Sequence, residues 1–237
     1  MKIGVTGCKG RVGQILVQEI EAAEDLEFAG GIDQGDDVKD LFEKADVIID
    51  FTRPAATVEH AKLAAQTNTA LVIGTTGLSE EQEKELDKAA QQTPIVYAAN
   101  MSVGVNILLA LVEQAASRLG VEWDIEVFET HHNQKIDSPS GTALALGKAA
   151  RDGRNGGEFV TDRTGKRQQG DIGYAVQRGG DVVGEHDVTF FSQGERLVLG
   201  HKATDRRLFA AGALRAARWV HGKPAKLYSM KDVLDLS

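Results

Sequence analysis

The chain alternates short apolar runs with segments whose apolar residues recur at helical spacing. Residues 2–6 form such a run, and Val12, Ile15, Leu16 and Ile20 then share one helix face, with charge on the other. Further strands are predicted at 26–33, 46–52, 70–74 and 94–98. Helical patterns separate them at 38–44, at 54–66, where Pro54 suits a first helical turn, and after Ser79, whose partner Gln82 three residues on makes a capping-box signature. Strands alternating with helices require crossover connections, so the first half reads as a Rossmann-like, doubly wound parallel sheet with helices on both faces.

The pattern changes after Asn100. Residues 103–119 read as a long apolar helix, and strands then crowd together at 123–130, 172–177, 187–191 and 195–201, as in the mixed sheet of a second α+β domain. The polar, Gly- and Arg-rich stretch 151–170 reads as a long mobile loop. A last amphipathic helix is predicted at 205–221.

Composition narrows the class. With 237 residues, 42% hydrophobic and 26% charged, the chain is too long for a disulfide-stapled module and too apolar for a disordered one. A net charge of −8, with Lys and Arg scattered, argues against a nucleic-acid partner. No apolar run reaches the roughly 18 residues of a membrane span. One cysteine, Cys8, allows no internal disulfide, and no secretory leader pattern is read at the start, so a cytoplasmic location is expected. Glycine is abundant, 26 of 237 residues, against a usual level of about 7%.

Those glycines gather where chemistry is expected. Gly7, Gly10 and Gly13 punctuate the first strand–helix junction, Gly7-Cys8-Lys9-Gly10-Arg11-Val12-Gly13, where backbone N–H groups and the helix dipole suit a pyrophosphate. Asp33, 20 residues beyond Gly13 at the end of the second strand, is placed to accept hydrogen bonds from adenosine ribose hydroxyls. Asp33 suits NADH, whereas Lys9 and Arg11 offer charge to a 2′-phosphate, so dual use of NADH and NADPH is expected. Cys8 has no evident base beside it and reads as a packing residue. Gly74-Thr75-Thr76-Gly77 and Ala98-Ala99-Asn100-Met101 lie at C-terminal ends of predicted strands, where open α/β sheets bind ligands, and are assigned to the nicotinamide half. Phe51-Thr52-Arg53 ends a third strand and is a weaker candidate for closing over the cofactor.

The densest chemistry runs from Glu129 to Thr142. His131, His132 and Lys135 stand beside a Ser140-Gly141-Thr142 helix start, which combines candidate proton donors with an anion cradle. A plain surface loop with Ser140 as N-cap remains open on these residues alone. Adjacent histidines point oppositely in extended chain and no third ligand is near, so no metal is expected. His60, His186, His201 and His221 look isolated and receive no assignment.

The glycine turn, Gly74-Thr75-Thr76-Gly77, Asn100-Met101-Ser102 and above all His131-His132-x-x-Lys135-x-Asp137-x-Pro139-Ser140-Gly141-Thr142 resemble the 4-hydroxy-tetrahydrodipicolinate (dihydrodipicolinate) reductase family of bacterial lysine biosynthesis. Arg178-Gly179-Gly180, Val183-Gly184-Glu185-His186, His201-Lys202-Ala203 and the tail Met230 to Leu234 also match. Ser138 stands where the family usually has alanine, and the 151–170 stretch is short for it.

The resemblance implies NAD(P)H-dependent reduction of a cyclic dicarboxylate imine. His131 would be the proton donor and Lys135 its cationic partner, while His132, Ser140, Gly141 and Thr142 would hold a substrate carboxylate. It also implies a homotetramer formed through the second sheet, a discontinuous dinucleotide-binding domain of 1–102 with 207–237, and a substrate-binding and oligomerisation domain of 103–206. Closure would hinge near 101–103 and 206. Two other readings differ in what they require. A non-catalytic NAD(P) sensor has no need of His131 or Lys135, and an aspartate-type dehydrogenase leaves the Ser140-Gly141-Thr142 cradle unexplained.

Overall fold

The computed structural model describes residues 1–236. Two compact units divide the chain, Met1–Val103 together with everything described from Arg207 onward, and Gly104–Arg206. The first part of unit 1 contains β1 (Lys2–Thr6), α1 (Arg11–Ala22), β2 (Glu27–Ile32), α2 (Lys39–Lys44), β3 (Val47–Asp50), α3 (Pro54–Thr67), β4 (Ala70–Ile73), α4 (Glu80–Ala89) and β5 (Ile95–Tyr97). Unit 2 follows with α5 (Val103–Arg118), β6 (Asp124–His131), α6 (Gly141–Arg154), β7 (Phe159–Val160), β8 (Ile172–Arg178), β9 (Gly184–Phe191) and β10 (Arg196–Ala203). The chain then re-enters unit 1 as α7 (Arg207–Val220), β11 (Leu227–Tyr228) and α8 (Met230–Leu234).

Sheet one has the order β11-β5-β4-β3-β1-β2, and every pairing is parallel. Alternating side chains feed two cores. Val47 and Ile49 of β3 pack with Leu16, Ile20, Ala213 and Val220 of α1 and α7, whereas Ile48 packs on the other face with Phe42, Ala61 and Leu86 of α2, α3 and α4. Each fully buried Val, Leu, Ile or Phe side chain among these contributes about 1.5–3 kcal/mol. Pro54 opens α3, and α4 starts with the predicted box: Ser79 Oγ accepts from Gln82 N at 3.4 Å and Gln82 Oε1 from Ser79 N at 2.9 Å.

Sheet two is mixed, ordered β10-β9-β6-β8-β7. Parallel β6, β8 and β7 occupy one side, while β9 and β10 run antiparallel as a hairpin. Along β6 the buried positions are Ile125, Val127, Glu129 and His131, and along β9 they are Gly184, His186, Val188 and Phe190. This inner face lies against Leu108 and Val112 of α5 and Ala143 and Leu146 of α6. Its apolar half is core, and its polar half is the candidate site.

Stretch 151–170 is not one long loop. Residues 151–154 complete α6, and Phe159–Val160 pair with β8. Arg151 stacks on the Phe159 ring at 4.4 Å, and Arg163 and Arg167 both pair with Glu126. Its arginines are therefore anchors rather than solvated loop. Strand β9 also begins three residues earlier than predicted, because Gly184 pairs with Ala203 and Glu185 with Thr130.

Candidate active site

In unit 1 the β1–α1 turn and the ends of β2 and β3 line a cavity of about 550 Å³, with Gly7, Lys9, Gly10 and Asp33 in its wall beside Phe51, Thr52, Arg53 and His60. Gly7 has φ +78°, and a Cβ there would lie 2.2 Å from the Phe51 carbonyl oxygen. A Cβ on Gly13 would lie 2.1 Å from the Gly7 carbonyl oxygen, so α1 reaches the turn only without a side chain at 13. No side chain caps α1 and its first turn holds no acid, which leaves its positive end for an anion. Asp33 accepts from Lys9 N at 3.0 Å and Gln34 N at 2.8 Å. Those two bonds hold its carboxyl below the usual range, as an ionised acceptor at the cavity wall. The residues therefore fit a dinucleotide.

Other cofactor candidates are placed differently. Arg11 is exposed and Val12 half-buried on α1. Half-buried Cys8 packs against Gly31, and burial with Asp33 nearby pushes its thiol up, away from a reactive thiolate. Gly74 makes room for the Phe51 ring, and Thr75 Oγ1 accepts from Thr52 N at 2.9 Å. Thr76 and Ala99 are exposed, Ala98 and Asn100 half-buried. Met101 is buried in the core, so only its backbone is available to a ligand.

Asp50 belongs to no sequence motif. Fully buried at the end of β3, its carboxylate accepts from Thr6 and Thr52 Oγ1 at 2.6 Å, Thr57 Oγ1 at 2.5 Å and Thr75 Oγ1 at 3.2 Å, with His60 Nδ1 at 3.2 Å. Burial pushes this carboxyl up, but His60 and the hydroxyls outweigh it and hold the group ionised. His60 is thus not isolated; it belongs to a knot tying β1, β3, α3 and the turn after β4 beneath the cavity.

In unit 2 the site is built on β6. Glu129 and His131 share the inner phase, and His131 Nδ1 lies 2.5 Å from Glu129 Oε2. Arg178, at the end of β8, donates to both Glu129 oxygens at 2.8 and 2.9 Å and to the Asp137 carbonyl at 2.7 Å. Ser140 N donates to Glu129 Oε1 at 2.9 Å. Desolvation raises the Glu129 carboxyl, yet Arg178, His131 and Ser140 N–H together hold it down. Burial lowers the His131 imidazole and prevails over the Glu129 carboxylate, which raises it. The ring therefore rests neutral, with Nδ1–H donating to Glu129 and Nε2 free to exchange a proton. A Cβ at residue 184 would stand 2.9 Å from that Nε2, so Gly184 keeps it unobstructed.

Lys135 Nζ pairs with Asp137 Oδ1 at 2.7 Å, and the His132 backbone N–H donates to the Val182 carbonyl at 2.8 Å. Ser140 caps α6, its Oγ accepting from Ala143 N at 3.1 Å, and a Cβ on Gly141 would meet nothing within 4 Å. The helix start is thus open at Gly141. His186, read as isolated in the sequence, packs edge-on against His131 with ring centroids 5.1 Å apart and places Nε2 3.0 Å from Ser140 Oγ. Burial, and then His131, push His186 down to about 4.

A depressed imidazole stabilises the fold above its unfolded value of about 6.5, and the contribution disappears as pH falls through 4. We expect urea unfolding midpoints to drop across that window, with His186 accounting for about 3 kcal/mol of the loss. His186→Gln should flatten the profile between pH 6.5 and 4.

A parallel nucleotide-type sheet, a glycine turn and a separate mixed-sheet unit carrying a buried acid–base pair define a Rossmann-type oxidoreductase. Residues 1–101 match the profile described as dihydrodipicolinate reductase, N-terminus, and 104–234 that of its C-terminus. The chain belongs to the dihydrodipicolinate reductase family. It is 47% identical to a 4-hydroxy-tetrahydrodipicolinate reductase of Acinetobacter baumannii, with 100% of this chain and 97% of that one covered. The corresponding enzyme of Ruegeria sp. is also 47% identical, with 99% and 98% covered. Among solved structures, dipicolinate-bound dihydrodipicolinate reductase from Paenisporosarcina sp. TG-14 superposes with a TM-score of 0.83 at 23% identity over 97% of each chain. Aspartate dehydrogenase from Thermotoga maritima reaches a TM-score of 0.50 at 11% identity over 94% of this chain and 97% of that one, a likeness of fold alone. Among the described residues, no helix is long and apolar enough to cross a membrane.

Proposed function

We propose that this protein reduces 4-hydroxy-tetrahydrodipicolinate, whose 4-hydroxyl leaves as water, or the dehydrated imine itself, to tetrahydrodipicolinate in diaminopimelate and lysine synthesis, one hydride and one proton being added. The observation that carries the reading is the Glu129–His131 pair set beside the Ser140–Gly141 helix start, which places a proton donor next to an anion cradle. When bound, reduced NAD(P) supplies the hydride. The turn Gly7–Gly13 would hold its pyrophosphate and Asp33 its adenosine ribose.

The chain's own residues supply the remainder. A dianionic ring brought near His131 favours the imidazolium, because negative charge raises an imidazole pKa, and Nε2 then delivers the proton to the ring. Glu129 holds the ring's Nδ1 side throughout. Lys135 exchanges Asp137 for a substrate carboxylate, while Ser140, Gly141 and Thr142 at the dipole end of α6, with His132, take the other. The direct test supplies synthase-generated substrate and follows reduced-cofactor absorbance. No decrease would overturn the reading, and consumption with oxaloacetate and ammonia instead would favour an amino-acid dehydrogenase.

Dual cofactor use rests on Asp33 for NADH and on Lys9 and Arg11 for a 2′-phosphate. Expected kcat/KM values for NADH and NADPH lie within three orders of magnitude; a wider gap in steady-state kinetics refutes this. A homotetramer is supported by half-exposed Phe128 and Phe191 and by Val198, 56% exposed, on the outer face of sheet two. Light scattering should give four chain masses, and Val198→Lys should lower that number. A lone cysteine agrees with a reducing, cytoplasmic setting.

A further inference from the structure

The hydrogen bonds around Ser140 do not balance unless His186 has a fixed form. Ser140 Oγ has two lone pairs and one proton. One lone pair is taken by Ala143 N–H at 3.1 Å, and His186 Nε2 stands 3.0 Å away. His186 is 4% exposed and its Nδ1 is buried without a partner. If the proton sat on Nδ1, a buried N–H would be orphaned, which is rarer and less favourable than an orphaned acceptor. With the proton on Nε2, only a lone pair goes unmatched.

We infer that His186, as its Nε2–H tautomer, donates to Ser140 Oγ and thereby leaves the serine proton directed at an anionic substrate oxygen. Ser140 then accepts twice within the protein, from α6 and from β9, and its own proton is left for a third group. A histidine 46 residues away in sequence thus acts as a positioning residue for carboxylate recognition. Charge would not serve as well: an imidazolium would carry a second, orphaned N–H at Nδ1. Burial and the neighbouring His131 disfavour that form. Glu129 on β6 and His201 on β10 are the direct strand neighbours of His186; the Glu129 carboxylate is paired with Arg178 and His131, and Lys135 is paired with Asp137.

The inference rests on the proposed dicarboxylate substrate, and the experiment separates the two. Binding of pyridine-2,6-dicarboxylate to the full-length protein with NADH is measured by calorimetry for wild type, Ser140→Ala, His186→Leu and the double variant. His186→Leu should weaken binding about tenfold. His186→Gln, whose amide N–H can occupy the place of Nε2–H, should recover most of that loss. On the Ser140→Ala background His186→Leu should add less than twofold, since its partner is already gone. Full additivity overturns the inference, because it means that His186 acts by packing alone. Nitrogen-15 NMR of the unaltered protein gives a check that needs no variant: an Nδ1–H tautomer at residue 186 also overturns it. Failure of wild type to bind the probe would remove the substrate reading itself, and this inference with it.

Discussion

Replacing His131 with Gln is expected to lower kcat by at least about a hundredfold, the usual contribution of a positioned general acid, while the Kd for NADH stays within about twofold. The reason is geometric. Nδ1 is committed to Glu129 at 2.5 Å, so every proton the ring delivers leaves through Nε2, the side kept clear by Gly184. Glutamine can fill the space and keep one hydrogen bond, but its amide has no proton to give at neutral pH. Lys135→Ala should lower kcat comparably, because it removes the cation proposed to receive a substrate carboxylate and leaves Asp137 without its ion-pair partner. Stopped-flow turnover with separate fluorescence titration of NADH reads both quantities. An unchanged kcat in either variant would strip that residue of its role.

The second large effect is expected in stability. Asp50→Ala should destabilise the protein by about 3–5 kcal/mol in urea unfolding, because it leaves the buried Thr6 and Thr57 hydroxyls and the His60 imidazole without their acceptor. Such a loss is a large fraction of a typical total of about 5–15 kcal/mol. Asp50→Asn keeps the shape and one acceptor oxygen, and hydroxyls can turn to accept from its NH₂, so its cost should be less than half as great. Since Thr6, Thr52 and His60 also line the cavity, KM for reduced cofactor should rise in Asp50→Asn even where the fold holds. Equal midpoints for Asp50→Ala and the parent would refute the account.

What could be read beforehand follows from range. Strands β1, β3 and β4 announce themselves because both faces are buried, giving unbroken apolar runs, and α4 because its capping box is local. The glycine turn is equally local, and its close approaches involve Gly7, Gly13 and one neighbouring strand end. By contrast, Arg178 reaches Glu129 across 49 residues and His186 reaches Ser140 across 46, separations set by strand order that no spacing rule contains. One signal was available. Glu129 occupies the same phase of β6 as Ile125 and Val127, and a carboxylate in the inward phase of a strand demands a partner. Asp50 gave a similar sign, ending the apolar run of β3. Strands of two residues, β7 and β11, are too short to have a period at all, and arginines in 151–170 mimic loop composition while binding carboxylates and an aromatic ring.

The re-entry of the chain into unit 1 bears on how the molecule is made. Helix α7 buries Ala210, Ala213, Ala216, Ala217 and Val220 against the first sheet, and β11 pairs with the outer side of β5. Until those late segments emerge from the ribosome, the α1-side surface of β3, β4 and β5 has no cover and β5 is a raw edge, the kind of surface that chaperones bind and that aggregates form upon. Unit 2, contiguous in sequence, is free to mature first. The boundary near residue 102 where the two family profiles meet therefore marks a seam in the text of the chain but not in its assembly, and residues 1–101 produced alone should be less soluble than residues 1–237.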